Sequence, residues 1–351
     1  MSFMSVYMMV RRCGLVATWV VLVGVFFASC DVHEFPQEEV KMHVFLRLRF
    51  TTDIPWSVFS SGDMLQGSSY SRGVIQNCTI RSIVRLYNRS DDTRTGATDG
   101  YQEFVYYFSA TDSYDNVFAI DVPQGNYQVM VWSDFINGAG GTAFYDAEDF
   151  ADIQVTFPYV GNSDYRDAFR GYAEIDVTDF EGDGGDEGNR TVTVEMSRPL
   201  AKYEFISTDL KEFMAQESRA QARGMGSDID LNDYRIKFFY EGYVPTSFSM
   251  LMDKPVDSAT GISFDGSLNV LSDDEVSLGF DYVFVNHKET SISVKIGIFN
   301  QKGELISLTN PVDVPLKRSV HTLVRGRFLM EKSSSSVTID SSYEDDYNIV
   351  F

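Results

Sequence analysis

The sequence predicts a mostly β protein, built as two tandem β-sandwich domains with one short helix in the second. Three observations carry that expectation. Apolar and polar residues alternate with period two in many short stretches along the chain. Turn residues punctuate those stretches, and only one segment has helical spacing.

The N-terminal segment stands apart, because a targeting peptide is no part of a mature fold. Arg11 and Arg12 form a positive region, Leu15 to Ala28 is almost wholly apolar, and the run ends in Phe27-Ala28-Ser29-Cys30. Small residues just before a cysteine suit a lipoprotein signal peptidase. Residues 1–29 are therefore expected to be a lipoprotein signal peptide, with Cys30 carrying the lipid, palmitate included. The apolar run falls short of the about 20 residues of a comfortable transmembrane helix. Signal peptides keep their positive charges near the first residue, which makes Met8 or Met9 an alternative start. Residues 30–40, polar and interrupted by Pro36, read as a tether.

The first sandwich is expected over residues 41–198. In Lys41 to Phe50 the apolar Met42, Val44, Leu46, Leu48 and Phe50 alternate with charged residues, as in a strand with one buried face. Further strands are expected at Thr79 to Tyr87, Glu103 to Ser109, Val117 to Val122 and Tyr127 to Asp134. The last two are joined by the turn Pro123-Gln124-Gly125-Asn126. Cys78 sits in the first of these alternations and reads as a buried structural thiol. Trp132 lies in a strand and reads as core. From Phe135 to about Tyr172 the pattern is irregular. Glu174 to Val177 and Thr191 to Met196 flank an acidic run, Asp179 to Glu187, that reads as an exposed hairpin loop.

The second sandwich is expected over residues 199–332, with strands at Ala201 to Thr208, Tyr234 to Tyr243, Phe248 to Met252, Gly266 to Leu271, Val276 to Val285, Ile292 to Phe299, Leu305 to Thr309 and Val320 to Leu329. The helix is expected over Asp209 to Arg223, with Thr208 or Asp209 as cap, Leu210, Phe213 and Met214 on one face, and Gly224 as stop. Residues 333–351 begin with a Ser333–Ser336 linker and close with alternation of Tyr347, Ile349 and Phe351, enough for a last strand. That strand could be donated to another chain or retained as an edge of its own domain.

Charge and motifs narrow the function. A net charge of −22 makes nucleic acid a poor partner, because phosphate binding needs a basic surface. Of the three cysteines, Cys13 belongs to the signal peptide and Cys30 to the lipid site, so no disulfide framework can form. His33, His43, His287 and His321 lack metal-ligand spacing, and no phosphate loop, nucleophile elbow or cysteine pair is present. Asp228 to Asp233 mimics the opening of an EF-hand loop but has Asp233 and Phe239 where glycine and glutamate are required. No enzyme, cofactor or metal site is expected. Aromatics make up 14% of the chain, and Trp56 and Tyr145 are the candidates for stacking on glycans in an alternative, glycan-binding reading. A hydrolase with two facing carboxylates ranks third.

Four stretches carry a resemblance: Cys30 to Pro36 after the lipobox, Gly125 to Trp132, Arg198 to Tyr203 at the junction, and Leu323 to Leu329. Together they resemble the fimbrillin-type fimbrial lipoproteins of Bacteroidetes, the subunits of type V pili. The resemblance implies transthyretin-like sandwich domains, lipid anchoring to the outer membrane with surface exposure, and fimbrial partners bound by strand complementation. Tyr347, Ile349 and Phe351 are the candidates for the exchanged strand. Major subunits of that family are shortened by an arginine-specific protease, and nothing distinguishes Arg72, Arg89 or Arg94 as a cut site. An anchor or accessory subunit is therefore the leading expectation, active in pilus assembly and adhesion.

Overall fold

Period-two alternation becomes strands wherever a second layer covers the apolar face. The computed structural model of the chain describes residues 41–51, 78–89, 100–109, 115–137, 143–178, 190–222, 230–330, 338–340 and 346–350. Its first part holds β1 (Lys41–Phe50), β2 (Cys78–Asn88), β3 (Tyr101–Ser109), β4 (Asp115–Pro123), β5 (Asn126–Asn137), β6 (Tyr145–Asp146), β7 (Ile153–Val155), β8 (Ala168–Asp176) and β9 (Arg190–Ser197). Seven of these form one sheet in the order β3-β2-β5-β8-β9-β1-β4. The sheet folds over on itself. β8 meets β9 through only two residue pairs, and the inner faces on either side of that corner share one core, including Val44, Leu46, Val84, Val129, Val131 and Val194. Gly171 sits at the corner, where a Cβ would lie 2.5 Å from the Met196 sulfur and 2.6 Å from a Val194 methyl. A side chain there would overpack the bend.

The second part holds β10 (Leu200–Ser207), helix α1 (Leu210–Ala222), β11 (Arg235–Glu241), β12 (Val244–Pro245), β13 (Ser247–Ser249), β14 (Lys254–Pro255), β15 (Ser258–Ala259), β16 (Ser263–Gly266), β17 (Asn269–Val270), β18 (Val276–Phe284), β19 (Thr290–Phe299), β20 (Leu305–Leu308), β21 (Val312–Leu316), β22 (His321–Gly326), β23 (Thr338–Asp340) and β24 (Asp346–Val350). A six-stranded sheet runs β17-β18-β10-β22-β24-β23, and a second runs β16-β11-β19-β20 with β21 also on β19. Tyr203, Phe205 and Leu278 of the first sheet pack on Ile236, Phe238 and Ile296 of the second. Helix α1 adds Leu210 and Phe213 to this core. The Phe213 amide donates to the Asp209 carbonyl at 3.0 Å. The Asp209 carboxylate is turned elsewhere, accepting from Ser207 Oγ at 2.5 Å and the Met330 amide at 3.0 Å.

A third core links the two parts. The segment between Trp132 and Tyr172, irregular in sequence, contributes β6 and β7, which join β13 and β14 in a four-stranded sheet. That sheet lays Tyr145, Phe150, Ile153 and Phe248 against Trp132 of β5 and against Phe284 of β18. Trp132 is fully buried, as its place in a strand predicts.

Candidate functional site

β3 and β4 end the seven-stranded sheet, and among the described residues neither has a second strand partner. Burial along β3 alternates between half-buried and exposed, and no position is fully buried. Phe104, Tyr106 and Phe108 turn inward, and Val105 and Tyr107 face out at 40% and 51% exposure. β4 alternates likewise, with Phe118 inward and half-buried and Val117 outward. The two edge strands meet through side chains: the Tyr106 and Phe118 rings stack with centroids 4.2 Å apart, and Tyr106 Oη donates to the Ala119 carbonyl at 3.1 Å. An aromatic strip thus lies half-covered between two nine-residue edges. Nine-residue edges with apolar side chains are templates for strand addition.

Beside that strip lies a cleft on the outer face of β2 and β3, where the register pairs Arg81 with Tyr107, Ile83 with Val105, Arg85 with Glu103 and Tyr87 with Tyr101. The third core covers this face as far as β2 and stops at the ledge Tyr145–Glu148. An open cleft of about 430 Å³ is left between the ledge and β3. Both arginines on its floor are held. Arg81 Nε and Nη2 donate to the Asp134 carboxylate at 2.9 and 2.6 Å, and Nη2 also reaches the Tyr145 carbonyl at 3.2 Å. Arg85 Nε donates to Glu103 Oε2 and its Nη2 to the Glu148 carbonyl, both at 2.7 Å. Its guanidinium also lies 4.5 Å from the Tyr101 ring centre and 4.1 Å from that of Phe150. Burial pushes the Asp134 carboxyl up, and the Arg81 hydrogen bonds pull it back.

Deeper charges are sealed from solvent. Arg166 Nε is 3.0 Å from Asp281 Oδ1, and both side chains are buried. Tyr159 and Tyr240 donate to Asp281 Oδ2 at 2.6 and 2.7 Å, and Tyr203 donates to the Tyr240 hydroxyl at 2.7 Å. Arg198 grips Asp167 with Nε and Nη2, each at 2.8 Å. These groups tie the parts together, and a ligand has no access to them.

The residues singled out from sequence fall in different places. Tyr145 is corrected: it is 1% exposed, its ring packs edge-on to Trp132, and its hydroxyl donates to the Arg166 carbonyl at 2.5 Å. No ring face is left for a sugar. Cys30, Trp56, Phe351 and the acidic run Asp179 to Glu187 lie outside the described residues. Tyr347 and Ile349 stand in β24, opposite Thr322 and Val324 of β22, so that strand pairs within its own sheet. Asp230 Oδ1 accepts from the Asn232 amide at 2.9 Å, a local turn bond. Sequence reasoning missed the cleft, because its ledge falls in the stretch read as irregular. Apolar Tyr145 and Ala147, and then Ile153 and Val155, do alternate there, over runs too short to stand out.

Residues 39–351 match the model of a family described as a family of unknown function, DUF6562. The chain belongs to the DUF6562 family. No curated protein matches this DUF6562 chain in sequence. Among solved structures it is similar to the fimbrial anchor protein Mfa2 of Porphyromonas gingivalis, at 12% identity over 76% of this chain and 81% of that one, with a TM-score of 0.34. The tip fimbrial protein Mfa3 of the same organism aligns at 8% identity, over 78% of this chain and 81% of that one, with a TM-score of 0.36. A candidate cell adhesion protein of Bacteroides eggerthii aligns at 16% identity, over 86% of this chain and 93% of that one, with a TM-score of 0.36.

Proposed function

We propose that this DUF6562 chain is a non-catalytic surface lipoprotein, anchored in the outer membrane through a lipid on Cys30, that serves as a fimbrial anchor or accessory subunit. The observation that carries the reading is the pair of edges, β3 and β4, without a second strand partner among the described residues, over the half-covered strip of Phe104, Tyr106, Phe108 and Phe118. A partner strand laid along either edge would gain main-chain hydrogen bonds and bury aromatic surface at once. β24 is paired in its own sheet, so the chain acts at β3 and β4 as acceptor. The lipobox supports the anchor, and the absence of enzyme motifs in the sequence agrees with a binding role.

The test uses intact cells of the source bacterium, with a photo-crosslinking residue at Val105 or Val117. Adducts with a co-assembled surface subunit are expected from both sites. Adducts from neither site, in cells that carry assembled fimbriae, would sink the reading. In the same cells, Cys30→Ala should abolish palmitate labelling and release the chain from the membrane fraction.

A further inference from the structure

We propose that the cleft between β3 and the Tyr145–Glu148 ledge binds a neutral saccharide, with Tyr107 as its stacking platform and the Asp146 and Glu148 carboxylates as acceptors for sugar hydroxyls. The size fits: about 430 Å³ lies within the span of small-molecule clefts. So does the surface. Tyr107 and Val105 stand two residues apart on the outer face of an edge strand, half-exposed, an apolar shelf suited to the C–H face of a sugar ring.

The charges select the ligand class. Arg81 is neutralised by buried Asp134 and Arg85 by Glu103, so the arginines bring no net positive charge to the site. Asp146 and Glu148 on the rim are exposed, which sets the cleft against anions. Sugar hydroxyls can donate to the rim carboxylates, and a neutral polyol brings no charge of its own for that rim to repel. The groups are also pre-ordered: two hydrogen bonds to Asp134 hold Arg81, two rings clamp Arg85, and Asp146 Oδ1 accepts from the Glu148 amide at 3.1 Å. Groups already fixed lose little entropy on binding. The cleft lies on the outer face of β3, so the proposal is independent of whether a partner strand adds to its edge.

The experiment is calorimetric titration of the full chain in detergent micelles with neutral gluco-, manno-, xylo- and galacto-oligosaccharides. Oligogalacturonate serves as the anionic probe, and chitosan oligomers and a lysine-rich peptide as the cationic ones. At least one neutral series is expected to bind, Tyr107→Ala to weaken it about tenfold or more, and Tyr107→Trp to restore it. Tyr107 is half-exposed, and unchanged thermal unfolding of both variants checks that the fold is kept. Binding by charged probes alone, neutral binding indifferent to Tyr107→Ala, or no binding by any probe up to about 10 mM would each overturn the proposal.

Discussion

β3 and β10 are strands of similar length and similarly mixed composition, and they meet opposite fates. Every position of β10 is buried, Lys202 and Glu204 included, whereas no position of β3 is. The cause lies in the neighbours. β10 has β18 on one side and β22 on the other, and cores press on both faces of its sheet. Its charges have been met in place: Lys202 Nζ lies 3.1 Å from Asp164 Oδ1 and 4.4 Å from the Phe280 ring centre, and Glu204 accepts from Ser277 Oγ at 2.5 Å. β3 pairs only with β2 among the described residues, and its outward side chains reach solvent. The buried strand makes the molecule cohere, and the open one gives it a surface to work with.

The contrast can be broken most severely next to β10. Asp281→Ala would leave Arg166 buried without its counter-ion and strip two tyrosine hydroxyls of their acceptor. A loss of about 3–5 kcal/mol is expected, read as a lower denaturant midpoint. A midpoint within error of wild type would mean that the joint is not a stability element. The same kind of change on the open side should cost far less. Tyr106→Phe removes one hydrogen bond at a half-buried site, worth about 0.5–1.5 kcal/mol, and leaves the ring stack with Phe118 in place. A cost equal to that of Asp281→Ala would erase the distinction between closed core and open edge.

The smallest effect concerns pH and sharpens the comparison from a third place. The Glu212 carboxyl at the start of α1 is held below the usual glutamate range, by its hydrogen bond to Arg327 and then by the charge of that residue. A depressed carboxyl stabilises the fold above its unfolded value, and the contribution fades as pH falls through the lower, folded value. Glu212→Gln should therefore lower stability slightly at neutral pH and converge with wild type in acid, which flattens the acid limb of the stability profile. Both residues are exposed, so salt should blunt the difference.

Much of the strand inventory was legible because alternation and turn chemistry are local. Thr79 to Tyr87, predicted from alternation, became Cys78–Asn88, and Asp209 to Arg223 became Leu210–Ala222. The short strands were not legible. Ile153–Val155 exists because Gln154 and Ile153 pair with Ser247 and Phe248, almost a hundred residues on, and a run of three has no period to detect. β21 was missed for a similar reason, since Pro315 interrupts its pattern while the strand pairs with β19. Of the candidate site, Glu103 to Ser109 was visible as a strand. Its place at a sheet edge was not, because edge or centre depends on strands that come much later or earlier in the chain.

Tyr145 draws the line between the two kinds of information. Composition and order told of a β protein with one helix, because periodicity and turn chemistry are properties of adjacent residues. Whether an aromatic ring is buried or offered to solvent is a property of the whole packing. Tertiary structure put Tyr145 under Trp132, with its hydroxyl on the Arg166 carbonyl, and left Tyr107, an unremarked residue in a strand, on the rim of the cleft. Burial comes from the second layer laid over a strand, and long-range pairing decides where that layer stops.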